Sequence, residues 1–439
     1  MSLSPEDFKV KCLGENNYES PLNLSKIRGD GIADYVPDNA SVLYQVTSED
    51  GGQFRTDLTI ERGGPRERIY FNPPKTRAAM VTCGGLSPGL NNVIRSMFLE
   101  LHYKYQVKEI LGFQYGFGGM NPANGMDPIV MTPEYVRSIH REGGSVLGCS
   151  RGAEDPSVLV DTLLGRGINV LFCIGGDGTL KGAHAIADEV ERRGKKISII
   201  GVPKTIDNDI AFVYKTFGFD TAVGVVREAL QAAHTEAVGA RNGIGLVKVM
   251  GRDSGFIAAY GTLSSLEVNF CLIPEVKFDL DGEGGLLNLL EERLKRRGHA
   301  VIIVAEGAGQ ELFETASTAR DASGNVLHQD IGLLLKNEIN AHFKKLDFPV
   351  SLKYIDPSYI IRSVPANAAD AIFCENLARN AVHAGMAGKT DIVIGLWHGL
   401  YVHLPIHLVT TSRKKISPES YLWRNVVGAT GQPTQIRSR

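Results

Sequence analysis

The chain predicts an α/β protein of two lobes, each built on a parallel sheet, and three observations carry that expectation. From Arg77 onward, short apolar runs ending in Gly, Ser, Asp or Asn alternate with amphipathic helical stretches. At 439 residues the chain exceeds what one ordinary core accommodates. A second strand–helix series begins near residue 219. The expected division is residues 1–76 as an N-terminal extension, 77–218 with about 361–411 as one lobe, and 219–360 with about 412–439 as the other. In such sheets ligands bind beyond the carboxyl ends of the strands, so the loops there are the places to look for chemistry.

The elements follow in chain order. Residues 1–76 are polar and poorly periodic, with turn-rich pieces such as GENNYESP, SEDGGQ and ERGGPRER, and read as an extension wrapped on the body. RAAMVTC then runs into GGLSPGLN and the helical NVIRSMFLELHYKY, and VKEILGF runs into QYGFGGM. NVLFCI leads to GGDGT and the helical LKGAHAIADEVERRG, and KISIIGV leads to PKTIDND. The second series opens with a helix from about 220 to 238, followed by IGLVKVMGRDSG, NFCLIP, a helix from about 285 to 297, and AVIIVAEGAG. IGLLLKNEINAHFKK reads as one more helix, KYIDPSYIIRSVP follows it, and IVIGLWHGLYVHLPIHLV lies in the closing segment.

Composition narrows the function classes. Hydrophobic residues make up 43% and charged residues 22%, and the net charge is −2, a balance that points to a small-molecule enzyme rather than to nucleic acid or an anionic membrane. No stretch reaches the ~18 apolar residues of a membrane span, and MSLSPEDFKV lacks a signal core. The six cysteines are scattered without CxxC or metal spacing, which places the chain in a reducing, cytoplasmic compartment. The eleven histidines show no HExxH, and none is assigned a role.

The loops carry the chemistry. In GGLSPGLN, Gly84, Gly85 and Gly89 permit positive φ and close backbone approach, and the next helix offers free N–H groups to an anion. In GGDGT, Gly175, Gly176 and Gly178 leave a polyphosphate unobstructed, Asp177 offers a hard oxygen to Mg²⁺, and Thr179 a hydroxyl. In PKTIDND, either Asp207 or Asp209 can take a proton from a sugar hydroxyl attacking phosphorus. The other then orients the base or helps hold Mg²⁺, and Lys204 counters phosphate charge. VMGRDSG sets Arg252 between Gly251 and Gly255 at a strand end, and VAEGAG sets Glu306 in the same format. Tyr359 and Arg362 stand three apart in SYIIRSVP and share one face of a short turn, and Arg151 lies beside a glycine in LGCSRG.

In this order GGLSPGLN, LGCSRG, GGDGT, PKTIDND, MGR, AEG and YIIR, from about residue 77 to 365, resemble the 6-phosphofructokinase family, most of all its plant and trypanosome ATP-dependent branch. The resemblance implies the phosphofructokinase fold, with the two lobes facing across a cleft. The first lobe would bind nucleotide and the second fructose 6-phosphate. The reaction implied is phosphoryl transfer to the sugar's 1-hydroxyl with Mg²⁺. It makes Asp207 the general base, with Asp209 close by, and Asp177 the metal ligand. Gly85, Arg151, Gly152, Gly176, Gly178 and Thr179 would line the nucleotide site, with Phe117 near adenine. Thr205, Ile206, Met250, Gly251, Arg252, Glu306, Tyr359 and Arg362 would form the sugar-phosphate site, Arg252 also steadying charge on the transferred group. Two positions depart from the bacterial allosteric pattern: Tyr359 replaces a His, and Lys353 replaces an Arg supplied across a subunit interface. Arg241 is a candidate for a second interface cation, and a homodimer or homotetramer is implied.

The phosphoryl donor rests on Gly178 and Lys204. Pyrophosphate-dependent members typically carry Asp at the first position and Lys at the second, so the two disagree. A carboxylate excludes ATP by clash and repulsion, whereas a Lys on a flexible stem tolerates either donor. Gly178 therefore decides for ATP. The alternatives are a pyrophosphate-dependent enzyme, a relative of the NAD and lipid kinases that share the GGDGT pattern, and a non-catalytic sugar-phosphate-binding subunit.

Overall fold

The computed structural model describes residues 3–48, 54–313, 320 and 326–438. Most of the SEDGGQ turn lies outside them. The chain divides into two compact units: Met1–Thr205 with Ile210–Gly218 and Val364–Ser412, and Ile206–Asp209 with Phe219–Ser363 and Arg413–Arg439. PKTIDND is thereby split, Lys204 and Thr205 going to the first unit and Ile206–Asp209 to the second.

The first unit holds a nine-stranded sheet. Five strands at its centre run parallel, in the order Ile392–Trp397, Ser198–Pro203, Val170–Gly175, Arg77–Thr82 and Glu109–Phe113. Every residue of Val170–Gly175 and Ser198–Pro203 is buried, which is why these runs are continuously apolar rather than alternating. Antiparallel strands flank the parallel core. Ile129–Val130 closes one edge, while Leu400–Pro405, Thr59–Arg62 and Ser41–Leu43 build out the other. The sheet is therefore mixed, where the sequence suggested a parallel one. Its hairpin turns at His398 (φ 48°) and Gly399 (φ 78°), the pair of positive angles a two-residue turn of matching twist requires.

Part of the extension is thus structural sheet. Glu61, on Thr59–Arg62, accepts a hydrogen bond from His403 Nδ1 at 2.9 Å and pairs with Lys389 at 2.8 Å. The buried Arg66 guanidinium reaches Glu61 and Asp38, each at 3.2 Å. The helix that follows Gly89 runs Leu90–Leu99 and widens into a π turn at Glu100–Lys104, so the helical stretch ends in a looser geometry than its periodicity suggested.

The second unit is built on four parallel strands in the order Phe270–Leu272, His299–Ala305, Gly243–Val249 and Ser351–Ile355. Its expected helices are Phe219–Gly239, Leu286–Arg297 and Ile331–Lys345. Phe219–Gly239 packs through Ala222, Val226, Leu230 and Ala233 against the sheet residues Val247, Val249, Val301 and Ile303. Ala233 leaves so little room that a methyl group added at Gly245 would lie 2.8 Å from its carbonyl oxygen. Helix and strand are in backbone contact there, and only a glycine fits.

Candidate active site

In the first unit, three strand-end loops converge. Gly175 ends its strand, and its carbonyl accepts the Lys204 N–H at 2.9 Å. Gly176 caps the helix Asp177–Arg192, and a methyl group on it would meet the Lys204 carbonyl at 3.2 Å. The Lys204 ammonium donates to the Gly85 carbonyl, and the Gly84 N–H donates to Ser150 O at 2.8 Å. Gly85, Gly176 and Lys204 are thus brought together, with the Ser150–Arg151 turn bonded alongside. The buried Lys204 is a positive charge set into a glycine surround next to a helix N-terminus, a surround that suits an anion.

The glycines of GGDGT differ in what holds them. At Gly175 a methyl group would fall 2.1 Å from Thr179 Oγ1 and 2.4 Å from its Cβ. At Gly178, exposed in the first turn of the helix, nothing lies within 4 Å of the added carbon. The fold needs the first glycine and has no use for the second. Asp177 sits at the first position of that helix and pairs with Lys181 at 2.9 Å. Thr179 is buried behind Gly175. Phe117 is 6% exposed in the turn Gly116–Met120, its ring packed against Gly182; the exposed aromatic of that loop is Tyr115, 53% exposed. Arg151 and Gly152 are exposed, Gly152 with φ +132° and open space around it. Thr205 presents its carbonyl to Thr216 Oγ1 at 2.6 Å.

In the second unit, Asp207 and Asp209 share a loop whose middle residue, Asn208, has φ 54°. Ile206 is buried in the core behind it. The Asp207 carboxyl is pushed well above its ordinary range, first by desolvation and then by repulsion from Asp209 and Glu306. Arg413 and Arg252 oppose that rise. The Glu306 carboxyl is raised as well, by burial, with Arg252 here the main opposing charge. Three acidic groups and two guanidinium groups therefore act on one another here, as expected where carboxylates with divergent acidities work together.

Backbone contacts fix the loops around this cluster. The Gly307 N–H donates to Gly251 O at 3.1 Å, and a methyl group on Gly307 would lie 1.8 Å from Arg252 O. Gly251 itself has φ +132°, and its added carbon would meet Ser254 O at 2.5 Å. The MGR and AEG loops are thus in van der Waals contact at the backbone, and Arg252 and Glu306 stand beside one another as a consequence. Met250 is partly buried against the core. Tyr359, 76% exposed, and Arg362 lie on the short helix Ser358–Ser363, with the guanidinium 4.7 Å from the ring centroid, on the shared face their spacing suggested. Lys353 is exposed on the strand Ser351–Ile355, and Arg241 is exposed beside the loop that enters Gly243–Val249.

The sequence reading missed Arg413 and Lys414. Arg413 pairs with Asp209 at 3.5 Å and, more tightly, with Asp253. Lys414 donates its backbone N–H to Asp209 O at 2.8 Å and its ammonium to Asn208 Oδ1 at 3.1 Å. Burial lowers the Lys414 ammonium to about 8 despite Asp209, and its Nζ lies 5.1 Å from the Phe256 ring centroid. The signal was the cationic run SRKK, which reads as an ordinary solvated face until its partners some 200 positions away are known.

The phosphofructokinase family model matches residues 77–385. The ATP-dependent 6-phosphofructokinase of Borreliella burgdorferi is 48% identical over 439 residues, covering 98% of both chains. The ATP-dependent 6-phosphofructokinase of Trypanosoma brucei brucei is 44% identical over 97% of this chain and 87% of its own, and Arabidopsis thaliana ATP-dependent 6-phosphofructokinase 7 is 48% identical over 85% and 77%. Among solved structures, a pyrophosphate-dependent phosphofructokinase from Marinobacter aquaeolei superposes with a TM-score of 0.67, covering 81% of this chain and 91% of its own. At 19% identity that likeness establishes the fold alone.

Proposed function

The chain belongs to the phosphofructokinase family, and on that premise we propose that it transfers the γ-phosphoryl group of ATP to the 1-hydroxyl of D-fructose 6-phosphate, giving fructose 1,6-bisphosphate and ADP. The observation that carries the reading is 48% identity across 98% of both chains with an ATP-dependent 6-phosphofructokinase.

Asp207 is the base that takes the proton of the 1-hydroxyl as that oxygen attacks phosphorus. Its elevated proton affinity supports the assignment, because a base is most effective when its pKa approaches the working pH. Asp209, fastened to Arg413, holds the loop and keeps negative charge beside the base. Arg252 offsets charge on the transferred group. Thr205, Ile206, Met250, Gly251, Glu306, Lys353, Tyr359 and Arg362 form the sugar-phosphate site. Gly85, Arg151, Gly152, Gly176, Gly178 and Thr179 form the donor site, with Phe117 as packed support beneath it.

The donor set suits Mg²⁺. Asp177 is a single hard-oxygen carboxylate at a glycine-flanked helix start, and Mg²⁺ is commonly held by one or two carboxylates plus substrate phosphates. Asp177 would hold it with the donor, exchanging its pairing with Lys181. The bound ion would neutralise phosphate charge and polarise the transferred group.

Lys204, bound to the Gly85 carbonyl, suits pyrophosphate as readily as ATP. Gly178, which the fold does not require, leaves room for the nucleotide. We place the reaction in the cytoplasm, in keeping with six free cysteines; no helix of the described residues is long and apolar enough to cross a membrane. We also propose a homodimer or homotetramer, to be checked by sedimentation. The reaction is tested by a coupled assay with ATP, Mg²⁺ and fructose 6-phosphate, repeated with pyrophosphate. A pyrophosphate rate exceeding the ATP rate would overturn the choice of donor.

A further inference from the structure

Lys248 lies near the end of the strand Gly243–Val249, two residues before Met250, and its side chain is only 13% exposed. Its ammonium stands between two carboxylates, 2.9 Å from Asp330 Oδ2 and 2.9 Å from Asp356 Oδ2. Neither carboxylate is an idle surface charge. Asp356 Oδ1 accepts the Ser358 N–H at 3.1 Å and the Ser358 hydroxyl, fixing the start of the helix that carries Tyr359 and Arg362. Asp330 caps the helix Ile331–Lys345 by accepting the Leu333 N–H at 3.1 Å.

The next residue along continues the chain of contacts. Gln329 and Gln310 exchange hydrogen bonds of 3.1 and 3.0 Å, and Gln310 Nε2 also donates to the Glu306 carbonyl at 2.9 Å. One ammonium is therefore linked to the MGR loop through its own strand, to the Tyr359–Arg362 helix through Asp356, and to the Glu306 loop through Asp330 and the two glutamines. A cation buried to this degree is a costly way to join two acids unless their placement matters. Burial disfavours its charge, yet the two carboxylates outweigh that and raise the Lys248 pKa above its ordinary value.

We propose that Lys248 is a positioning residue for the acceptor, setting the helix of Tyr359 and Arg362 relative to Arg252 and Glu306 without itself touching substrate. This rests on the reading of those four residues as the sugar-phosphate site. Loss of the ammonium frees the Asp356 cap and blurs the acceptor site, whereas the proposed donor loops belong to the other unit.

The test is steady-state kinetics on the full chain with Lys248→Met, Lys248→Arg and Asp356→Asn, alongside thermal melts and calorimetric titration with fructose 6-phosphate. Lys248→Met and Asp356→Asn are expected to raise the fructose 6-phosphate KM and Kd about 10-fold or more, a loss of roughly 1.4 kcal/mol. The ATP KM should stay within about twofold, and Lys248→Arg, which restores the charge, should recover most of the loss. A purely structural role would lower Tm and leave both KM values unchanged, and that result overturns the proposal, as does a parallel rise in both KM values. If Lys248→Met does not fold, Asp356→Asn decides, because it keeps one oxygen to accept from Ser358 and removes the charged oxygen that pairs with Lys248. An unmodified enzyme that fails to turn over fructose 6-phosphate refutes the proposed function instead, so the two failures are distinguishable.

Discussion

Gly175 and Gly178 stand three residues apart in one loop, and the structure assigns them opposite reasons. Gly175→Ala puts a methyl group 2.1 Å from Thr179 Oγ1 and 2.6 Å from Thr179 Cγ2. Thr179 is buried in the first turn of a helix, so relief means shifting that turn away from the strand. Overpacking of this kind costs about 1–3 kcal/mol, and at roughly 2–4 °C per kcal/mol the melt should fall by several degrees. Gly178→Ala meets no atom within 4 Å and exchanges the poorest ordinary helix former for the best, so stability should hold or rise by up to ~1 kcal/mol. Gly178→Asp should be equally benign to the fold, because an acid in the first helical turn is favourable by about 0.3–1 kcal/mol. Its effect should fall on the donor. Like charges 4 Å apart repel by about 1 kcal/mol in water and about 4 kcal/mol at the effective dielectric of a protein surface. Between these limits the ATP KM of Gly178→Asp should rise about 10- to 100-fold, with the fructose 6-phosphate KM within about twofold. Calorimetric melts and initial-rate kinetics on the three variants test the reasoning. Unchanged ATP kinetics in Gly178→Asp, or a melt of Gly178→Ala as low as that of Gly175→Ala, would refute it.

Four further outcomes are expected. Asp207→Asn should lower kcat about 10²-fold or more with a smaller change in the fructose 6-phosphate KM. Because the Asp207 carboxyl is pushed up, the wild-type acid limb of kcat/KM should lie above the ordinary carboxylate range, and a limb below pH 4 contradicts the assignment. Arg413→Met should cost at least ~10-fold in kcat and a few degrees in Tm by removing the guanidinium that pairs with both Asp209 and Asp253, with partial recovery in Arg413→Lys. Glu61 concerns stability. Burial alone would raise its pKa, but the His403 and Lys389 contacts outweigh it and hold it at about 2, against an ordinary 4.5. Burial lowers the His403 imidazole with Glu61 opposing it, and Lys389 pairs with Glu61 at 2.8 Å. A depressed carboxylate pKa contributes stability above pH 4.5 that is lost as the pH falls towards 2. Glu61→Gln should therefore destabilise by on the order of 2 kcal/mol at pH 7 and progressively less in acid, as read by denaturant melts across that range.

The parallel core was legible because strands buried on both faces must be continuously apolar, and those runs stop where the chain needs Gly or Asp to turn. The antiparallel edges were not, since IVIGLWHGLYVHLPIHLV has the same apolar density whichever way its halves run. The hairpin turns through the two positive φ angles at His398 and Gly399, and His-Gly is a weaker signal of such a turn than Asn-Gly or Asp-Gly. Arg413 shows the same limit at the candidate site. Its identity as a cation is local, but its pairing with Asp209 and Asp253 exists only once residues some 160 to 200 positions apart have been folded together.

The glycine loops show what kind of information a sequence withholds. Gly251 is required by its φ of +132° and by Ser254 O, Gly307 by a carbonyl oxygen 1.8 Å from where its side chain would begin, and Gly178 by nothing in the fold at all. In the sequence the three are the same letter. The first two bring Arg252 and Glu306 side by side, so they shape the proposed site through the backbone. At the third, an added Cβ meets no atom within 4 Å, so a small side chain there is not excluded by the neighbouring packing. Substituting Gly178 therefore perturbs the proposed donor site with little cost to packing, whereas Lys204 is tied to the Gly85 carbonyl, which makes Gly178→Asp the cleaner test of the donor.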